Sequence, residues 1–438
     1  MTVPAGWRRT DGLAIVAWAG IVVAGWWLAL DDRILWKLRA APVAGFFDRT
    51  VTPGAVVAVA VGLALAGGLP RWAARASWPT LLAGTGLGAV AWGAVLALVR
   101  GVDGLTRGTS SRHEYPAVVG RIRGVGLGEF VSTFSDEAVL RTYPIHVQGH
   151  PVGVPLLADV LDRVGLGGGG GLALVTLAAS TTACIAVLLV VRELADEATA
   201  RAAAPFLVLA PALVWWVTSV DALFATAGAW GVALAVLATA DRPAAGPRRA
   251  RLLAVGSGVV WALGLHLSYG LAPLALAAVV PIVRRRRFDL VPWAVAGGLV
   301  VVGAFALAGF WWPAGLAATG IRYREGIAEL RPYAHFATVG NLAAVALATG
   351  PAVAVALGRV RDRALWWVVG PPLVALVVAN VSGLSKAEVE RIWLPFLLWL
   401  AVLPAGLVPR LGPRAITLLL AAHALLAVLV ESSVKTPW

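Results

Sequence analysis

The feature that most constrains this chain is a succession of about thirteen apolar runs, near 12–30, 52–69, 79–99, 169–191, 203–219, 222–240, 251–267, 269–283, 289–311, 338–357, 364–381, 392–408 and 413–431. Many approach the roughly 20 residues that carry a helix across a bilayer. Runs of that length fit a helix, which satisfies its backbone N–H and C=O groups within its own segment. Only 13% of the residues are charged, about half of what a soluble domain carries. The sequence therefore predicts an all-α, polytopic transmembrane helical bundle of about thirteen spans. The runs 203–219 and 269–283 are shorter and are read as joined, tilted or partly re-entrant.

Arginines set the expected orientation. Met1–Asp11 is short and carries Arg8 and Arg9, and 12–30 is read as a retained first helix and not a removed signal peptide. With the N-terminus cytoplasmic, every short inside turn is basic: Arg71 and Arg75; Arg192 and Arg201; Arg242, Arg248, Arg249 and Arg251; Arg284 to Arg287; Arg359, Arg361 and Arg363; Arg410 and Arg414. The net charge of +13 is then topology information, and no nucleic-acid partner is expected. The expected localisation is a multi-pass protein of the cell membrane with the bilayer as its first partner. Cys184 is the single cysteine, so no disulfide forms within the chain. Tryptophans such as Trp26, Trp27, Trp215, Trp216, Trp311, Trp312, Trp366 and Trp367 cluster near span ends, where an amphipathic ring suits the headgroup region.

This divides the chain into N-terminal spans (1–99), a large extracytoplasmic loop after the third span (100–168) and a C-terminal transmembrane bundle (169–438). Segment 31–51 mixes Asp31, Asp32, Arg33, Lys37, Arg39, Asp48 and Arg49 with apolar residues and is expected to lie along the interface. GGGGG at 167–171 reads as a flexible joint into the fourth span. No internal repeat is visible, which weighs against an inverted-repeat transporter.

Sorting polar residues by side collects His113, Glu114, Asp136, Glu137, His146, His150, Asp221, His266, Tyr269, Tyr323, Arg324, Glu325, Glu388, Glu390 and Arg391 at or near the outer face. No nucleoside triphosphate is available there, and the chain has no phosphate-cradling P-loop. Glu114, in RHEYPAVV, is either a general base with a raised pKa beside apolar walls or a solvated partner of Arg112. Asp136 and Glu137 in FSDEAVL are either catalytic or a solvated helix start. In HVQGHPVGVPLL, Gly149, Pro151 and Gly153 argue for a turn that presents His150 to a ligand phosphate or hydroxyl, with a backbone-tied structural histidine as the alternative. Two histidines without a third ligand make a weak zinc site. In SKAEVERIWLPF, Glu388 and Arg391 are three apart and meet on one helical face, as a local ion pair or as a phosphate-holding guanidinium oriented by a carboxylate. Asp221, His266 and Tyr269 lie where short outer turns meet the bilayer and would line the same cavity mouth.

An acidic residue in the first large external loop, followed by a His-Pro turn leading into the next span, resembles the GT-C class of integral-membrane glycosyltransferases, to which the protein O-mannosyltransferases belong. The residues that carry the resemblance are His113-Glu114-Tyr115 or Asp136-Glu137, then His150-Pro151-Val152-Gly153. The stretches SKAEVERIWLPF and YREGIAELRPYAHF (323–336) resemble segments of actinobacterial membrane proteins grouped with that class. The chain departs from the pattern where Val152 replaces a second proline, where Glu114 stands for the usual aspartate, and where two extra spans come first.

The resemblance implies sugar transfer from a polyprenyl-phosphate donor to an acceptor at the outer face. It casts a carboxylate among Glu114, Asp136 and Glu137 as the base, with Arg391, Arg324 or His150 beside the leaving phosphate and His113, Tyr115, His146, Asp221, His266, Tyr269, Tyr323 and Glu388 among the binding residues. No metal ligand set is visible; a divalent cation recruited by carboxylates and phosphate is the one cofactor left open. The competing expectation is a transporter, lipid-carrier or assembly protein without covalent chemistry. The sequence does not specify the oligomeric state.

Overall fold

The computed structural model describes residues 6–28, 40–240, 246–326 and 331–436. Their regular secondary structure is helical apart from a two-residue antiparallel pairing of Phe46–Phe47 with Val434–Lys435. Among the described residues, nine helices are long and apolar enough to cross a membrane: Arg9–Trp27, Pro53–Arg75, Trp78–Arg100, Gly168–Leu194, Asp221–Ala238, Gly246–Leu267, Phe288–Leu307, Arg363–Val381 and Pro413–Ser433. Large apolar side chains such as Val16, Val300 and Leu307 point outward, 68%, 71% and 93% exposed. A surface of that kind calls for lipid and not water, and the fold is that of a multi-pass membrane protein.

The remaining apolar runs form shorter helices. Run 203–219 becomes the helix Glu197–Val208 and the 3-10 turn Pro211–Trp215, and every residue from 203 to 222 is enclosed by protein. Run 392–408 becomes Leu394–Leu400 and Leu403–Leu407, equally enclosed. Trp215 and Trp216 are therefore interior residues at 1% exposure, not part of an interfacial belt, whereas Trp26, Trp27 and Trp311 are exposed. Run 338–357, expected to be continuous, is bent by 99° between Tyr333–Thr349 and Pro351–Arg359. Gly350 has φ +78° and Pro351 follows it, so the first helix ends in a left-handed residue and a proline opens the second. Buried His423 secures the break, its Nε2 accepting the Ala352 N–H at 3.2 Å.

Helix Gly168–Leu194 is central. It packs on Trp78–Ala97, Glu197–Val208 and Asp221–Ala238, while Gly246–Leu267 joins Asp221–Ala238 to Val291–Leu307, and Pro413–Ser433 lies along Pro53–Arg75. The bundle has two chemically different ends. At one, Arg201 donates to the carbonyls of Ala73 and Ala76, Arg285 to that of Glu193, and Arg359 to Asp11 and the Arg410 carbonyl. At the other lie residues 100–168 with Asp48, Arg100 and Glu431.

Residues 100–168 are not an extended loop. They form a chain of short helices whose aromatic side chains Phe130, Phe134 and Tyr143 stack on one another and on Phe310 of the bundle. The glycine run is not a flexible joint either. Gly168 begins the helix itself, and Cβ atoms at 169 and 171 would sit 2.1 Å from Ser110 Oγ and 1.7 Å from the Leu166 carbonyl. The glycines are there because the short helices press directly against the first turn of the span. Of segment 31–51, residues 31–39 lie outside the described residues; 40–44 are buried in the bundle and do not lie along its surface.

Candidate functional site

The site is built from four pieces of chain. The first is Ser111–Val118. Glu114 adopts an extended conformation (φ −96°, ψ 170°) ahead of the short helix Tyr115–Val118, which Pro116 opens. That turn aims Glu114 and Tyr115 inward, 4% and 2% exposed. Glu114 is thus not the solvated partner of Arg112.

The second piece is the His-Pro turn. Ile145–Gln148 makes a single helical turn, Gly149 caps it, and Pro151 stops it from continuing. His146 Nδ1 lies 2.5 Å from Glu114 Oε1. His150 Nδ1 lies 2.8 Å from the His146 carbonyl, and because a carbonyl only accepts, Nδ1 carries the proton. Gly153 anchors the turn to the bundle: a Cβ there would lie 2.3 Å from the His266 carbonyl. This close backbone approach explains the glycine of HPVG.

The third and fourth pieces meet in the interior. Asp221 opens the helix that follows the enclosed 203–220 stretch, and Arg391 precedes the enclosed 393–407 stretch. Arg391 Nη1 donates to Asp221 Oδ2 at 2.6 Å, with side-chain exposures of 7% and 2%, and Ser219 bonds the same carboxylate. Arg391 Nη2 donates to Glu388 Oε2 at 3.2 Å. The pair forms, but not on a helical face: Glu388 has φ +63° and precedes the helix Val389–Ile392.

These pieces share one electrostatic environment. Burial pushes the Tyr115 phenol well above its usual range, and the Glu114 and Asp221 carboxylates push it further. Burial also pulls the His150 imidazole down, against the opposing pull of Asp221. His150 packs on Phe224 and meets the edge of Tyr115. Asp221, Glu388 and Glu114 together overcome the burial of Arg391 and hold its guanidinium firmly charged. Seven expected residues therefore gather: Glu114, Tyr115, His146, His150, Asp221, Glu388 and Arg391.

The others stand apart. Asp136 and Glu137 are exposed at the start of a four-residue helix, where Glu137 and Glu325 flank Arg141. The His113 side chain is exposed beside Arg112, and only its carbonyl reaches toward His146 N. His266 is stacked on Phe305 with Nδ1 bonded to the Ala262 carbonyl, as a packed structural histidine. Tyr269 packs on Trp312. Arg324 is exposed. Tyr323 sits at the margin, its hydroxyl 3.4 Å from the Gly383 carbonyl; burial raises it to about 12 while nearby Arg331 opposes the shift.

Two residues that the sequence did not single out, Arg331 and Lys386, belong here, together with Glu390, which it had placed near the outer face. Arg331, 6% exposed, reaches Glu388 Oε1 at 3.4 Å and donates to the Lys386 carbonyl, while Lys386 Nζ donates to the Arg331 carbonyl at 3.0 Å. Glu390 is fully buried; its Oε1 accepts the Ala44 N–H at 2.8 Å and burial raises the carboxyl to about 7. The available signal was position: Arg331 directly precedes Pro332 in a polar stretch, and Lys386 lies two residues before Glu388. Among the described residues no group of three or more His, Cys, Asp and Glu side chains is arranged to hold a metal. No protein-family model, no curated protein and no solved structure matches this chain.

Proposed function

We propose that the chain is a GT-C-like, inverting glycosyltransferase that moves a sugar from a polyprenyl-phosphate donor to an acceptor hydroxyl at the extracytoplasmic face of the cell membrane. The observation that carries this reading is one enclosed cluster at the end of the bundle opposite the arginine-rich turns. It combines a carboxylate–imidazole pair, Glu114–His146, with a charged and positioned guanidinium, Arg391.

In this reaction the acceptor oxygen bonds to the anomeric carbon while the bond from that carbon to the phosphate oxygen breaks. The acceptor proton passes to the Glu114–His146 pair. Glu114 is the more buried partner, 5% against 16% side-chain exposure, so the imidazole faces the acceptor and the carboxylate orients it and stabilises its protonated form. This shifts the expected role of Glu114 from sole base to one half of a pair. Arg391 neutralises the charge that develops on the leaving phosphate, and Asp221 holds the guanidinium in place beforehand. A donor whose tail stays in lipid while its phosphate meets the bundle end suits a site at that depth.

The test is transfer of radiolabelled sugar from a panel of polyprenyl-phosphate sugars to a hydroxyl acceptor by the protein in nanodiscs. Glu114→Gln and His146→Asn should each lower turnover at least about 100-fold. Undiminished transfer by both variants would refute the assignment. Binding of the lipid without turnover on any donor would support the carrier reading instead.

A further inference from the structure

Glu388 is held differently from the other charges of the cluster. Its two carboxylate oxygens point to two different guanidiniums, Oε1 to Arg331 at 3.4 Å and Oε2 to Arg391 at 3.2 Å. Both contacts are long beside the 2.6 Å bond from Arg391 to Asp221 and beside the 2.7–2.9 Å usual for charge-assisted bonds. Arg331 and Arg391 are 6% and 7% exposed at the side chain, whereas Glu388 is 23% exposed. Two enclosed cations thus frame one accessible, loosely held anion.

The backbone is arranged to put that anion there. Ala387 and Glu388 are consecutive non-glycine residues in the left-handed region, at φ +66° and +63°, a conformation that side chains with a Cβ disfavour. Asn341 enforces it, its Oδ1 accepting the Ala387 N–H at 3.1 Å while its Nδ2 donates to Asn380 Oδ1 and to the Ser385 carbonyl. The Arg331 guanidinium is fixed by its bond to the Lys386 carbonyl, and its buried Nε has no hydrogen-bond partner. Local strain of this kind persists where the surrounding structure over-determines it, commonly at ligand clamps.

We propose that Arg331 and Arg391 form a seat for a phosphate group, that the Glu388 carboxylate is its resident occupant, and that a phosphate-bearing ligand binds by displacing it. The inference rests on the glycosyltransferase reading for the lipid source of that phosphate. It gives Glu388 the opposite role from an orienting one: a residue that orients Arg391 helps binding, whereas an occupant competes with the ligand. In the exchange the ligand's two anionic oxygens take the places of Oε1 and Oε2, and Glu388 swings toward the solvent it already partly meets. Nothing covalent changes.

The test measures binding of undecaprenyl phosphate to the full chain in nanodiscs, and in a second arm binding of inorganic phosphate. Glu388→Gln keeps the shape and removes the competing charge; Glu388→Gly also relieves the left-handed backbone. Both should tighten lipid-phosphate binding about tenfold, equivalent to about 1.4 kcal/mol, while Arg331→Gln should weaken it by a similar factor. Tightening in the lipid arm alone identifies a headgroup as the ligand, and tightening in both arms identifies phosphate as such; either supports the seat. If wild type binds the lipid through Arg391 but both Glu388 variants bind equally or more weakly, the displacement is overturned and the glycosyltransferase reading stands. If neither wild type nor any variant binds either probe, the seat and the donor site fall together.

Discussion

Removing Asp221 should strand a buried charge inside the cluster. Asp221 and Arg391 join the two innermost segments, 203–220 and 393–407, through a 2.6 Å bond between side chains that are 2% and 7% exposed. Breaking a buried pair from one side costs about 3–5 kcal/mol, because the remaining charge stays desolvated. Asp221→Asn keeps the volume and leaves Glu388 at 3.2 Å as a residual partner, which places the expected cost near the low end, about 3 kcal/mol. For domains of 150–250 residues 1 kcal/mol moves Tm by about 2–4 °C, so a fall of about 6 °C is expected. The assay is thermal unfolding in nanodiscs followed by tryptophan fluorescence, with buried Trp215, Trp216, Trp393 and Trp399 reporting from the same segments. The double variant Asp221→Asn/Arg391→Met has no stranded charge and should regain at least half of the loss. A single variant within about 1 °C of wild type, or a double variant no better than the single, would refute the reasoning.

Other expectations follow from the same geometry. Glu390→Gln should alter the pH dependence of stability. Burial raises this carboxyl from 4.5 to about 7, so below pH 4.5 folded and unfolded chains both hold the proton and nothing is lost. Between 4.5 and 7 only the folded chain keeps it, stability falls with rising pH, and above 7 the loss is complete, about 3 kcal/mol. The advantage of Glu390→Gln over wild type in Tm should therefore grow from pH 5 to pH 8, and a constant difference would contradict it. Gly153→Ala should cost about 1–3 kcal/mol and lower transfer, because the new methyl meets the His266 carbonyl at 2.3 Å; unchanged Tm and turnover would show that the His-Pro turn is not anchored there. Asp136→Asn and Glu137→Gln should leave transfer within about twofold of wild type, as expected of exposed charges, and a large loss in either would return the base to that pair.

The helices were legible because lipid demands long charge-poor runs, and among the described residues each apolar run in the sequence contains helical structure. What composition could not separate is a run that faces lipid from one enclosed by protein. Val300 and Trp215 are both apolar, yet one is 71% exposed and the other 1%. The candidate site was legible in part for the same reason. Sorting charges by side put Glu114, His146, Asp221 and Arg391 at one end, but Asp136 and His266 satisfy that criterion equally well. Only tertiary contact distinguishes Glu114, turned inward by its own extended backbone ahead of Tyr115–Val118, from Asp136, turned outward at a helix start. Arg331 and Lys386 were missed because each acts through the other's backbone carbonyl, a pairing across 55 residues that local spacing does not record. The left-handed pair Ala387–Glu388 carried no glycine to mark it.

The central claim is that Glu114, His146 and Arg391 face one phosphate-bearing lipid. The measurement that tests it most directly is an experimental structure of the full chain in nanodiscs with bound undecaprenyl phosphate. The account predicts phosphate density on the Arg391 guanidinium, with the Glu114–His146 pair flanking the same space. Headgroup density at the opposite end of the bundle, among Arg201, Arg285 and Arg359, would contradict it.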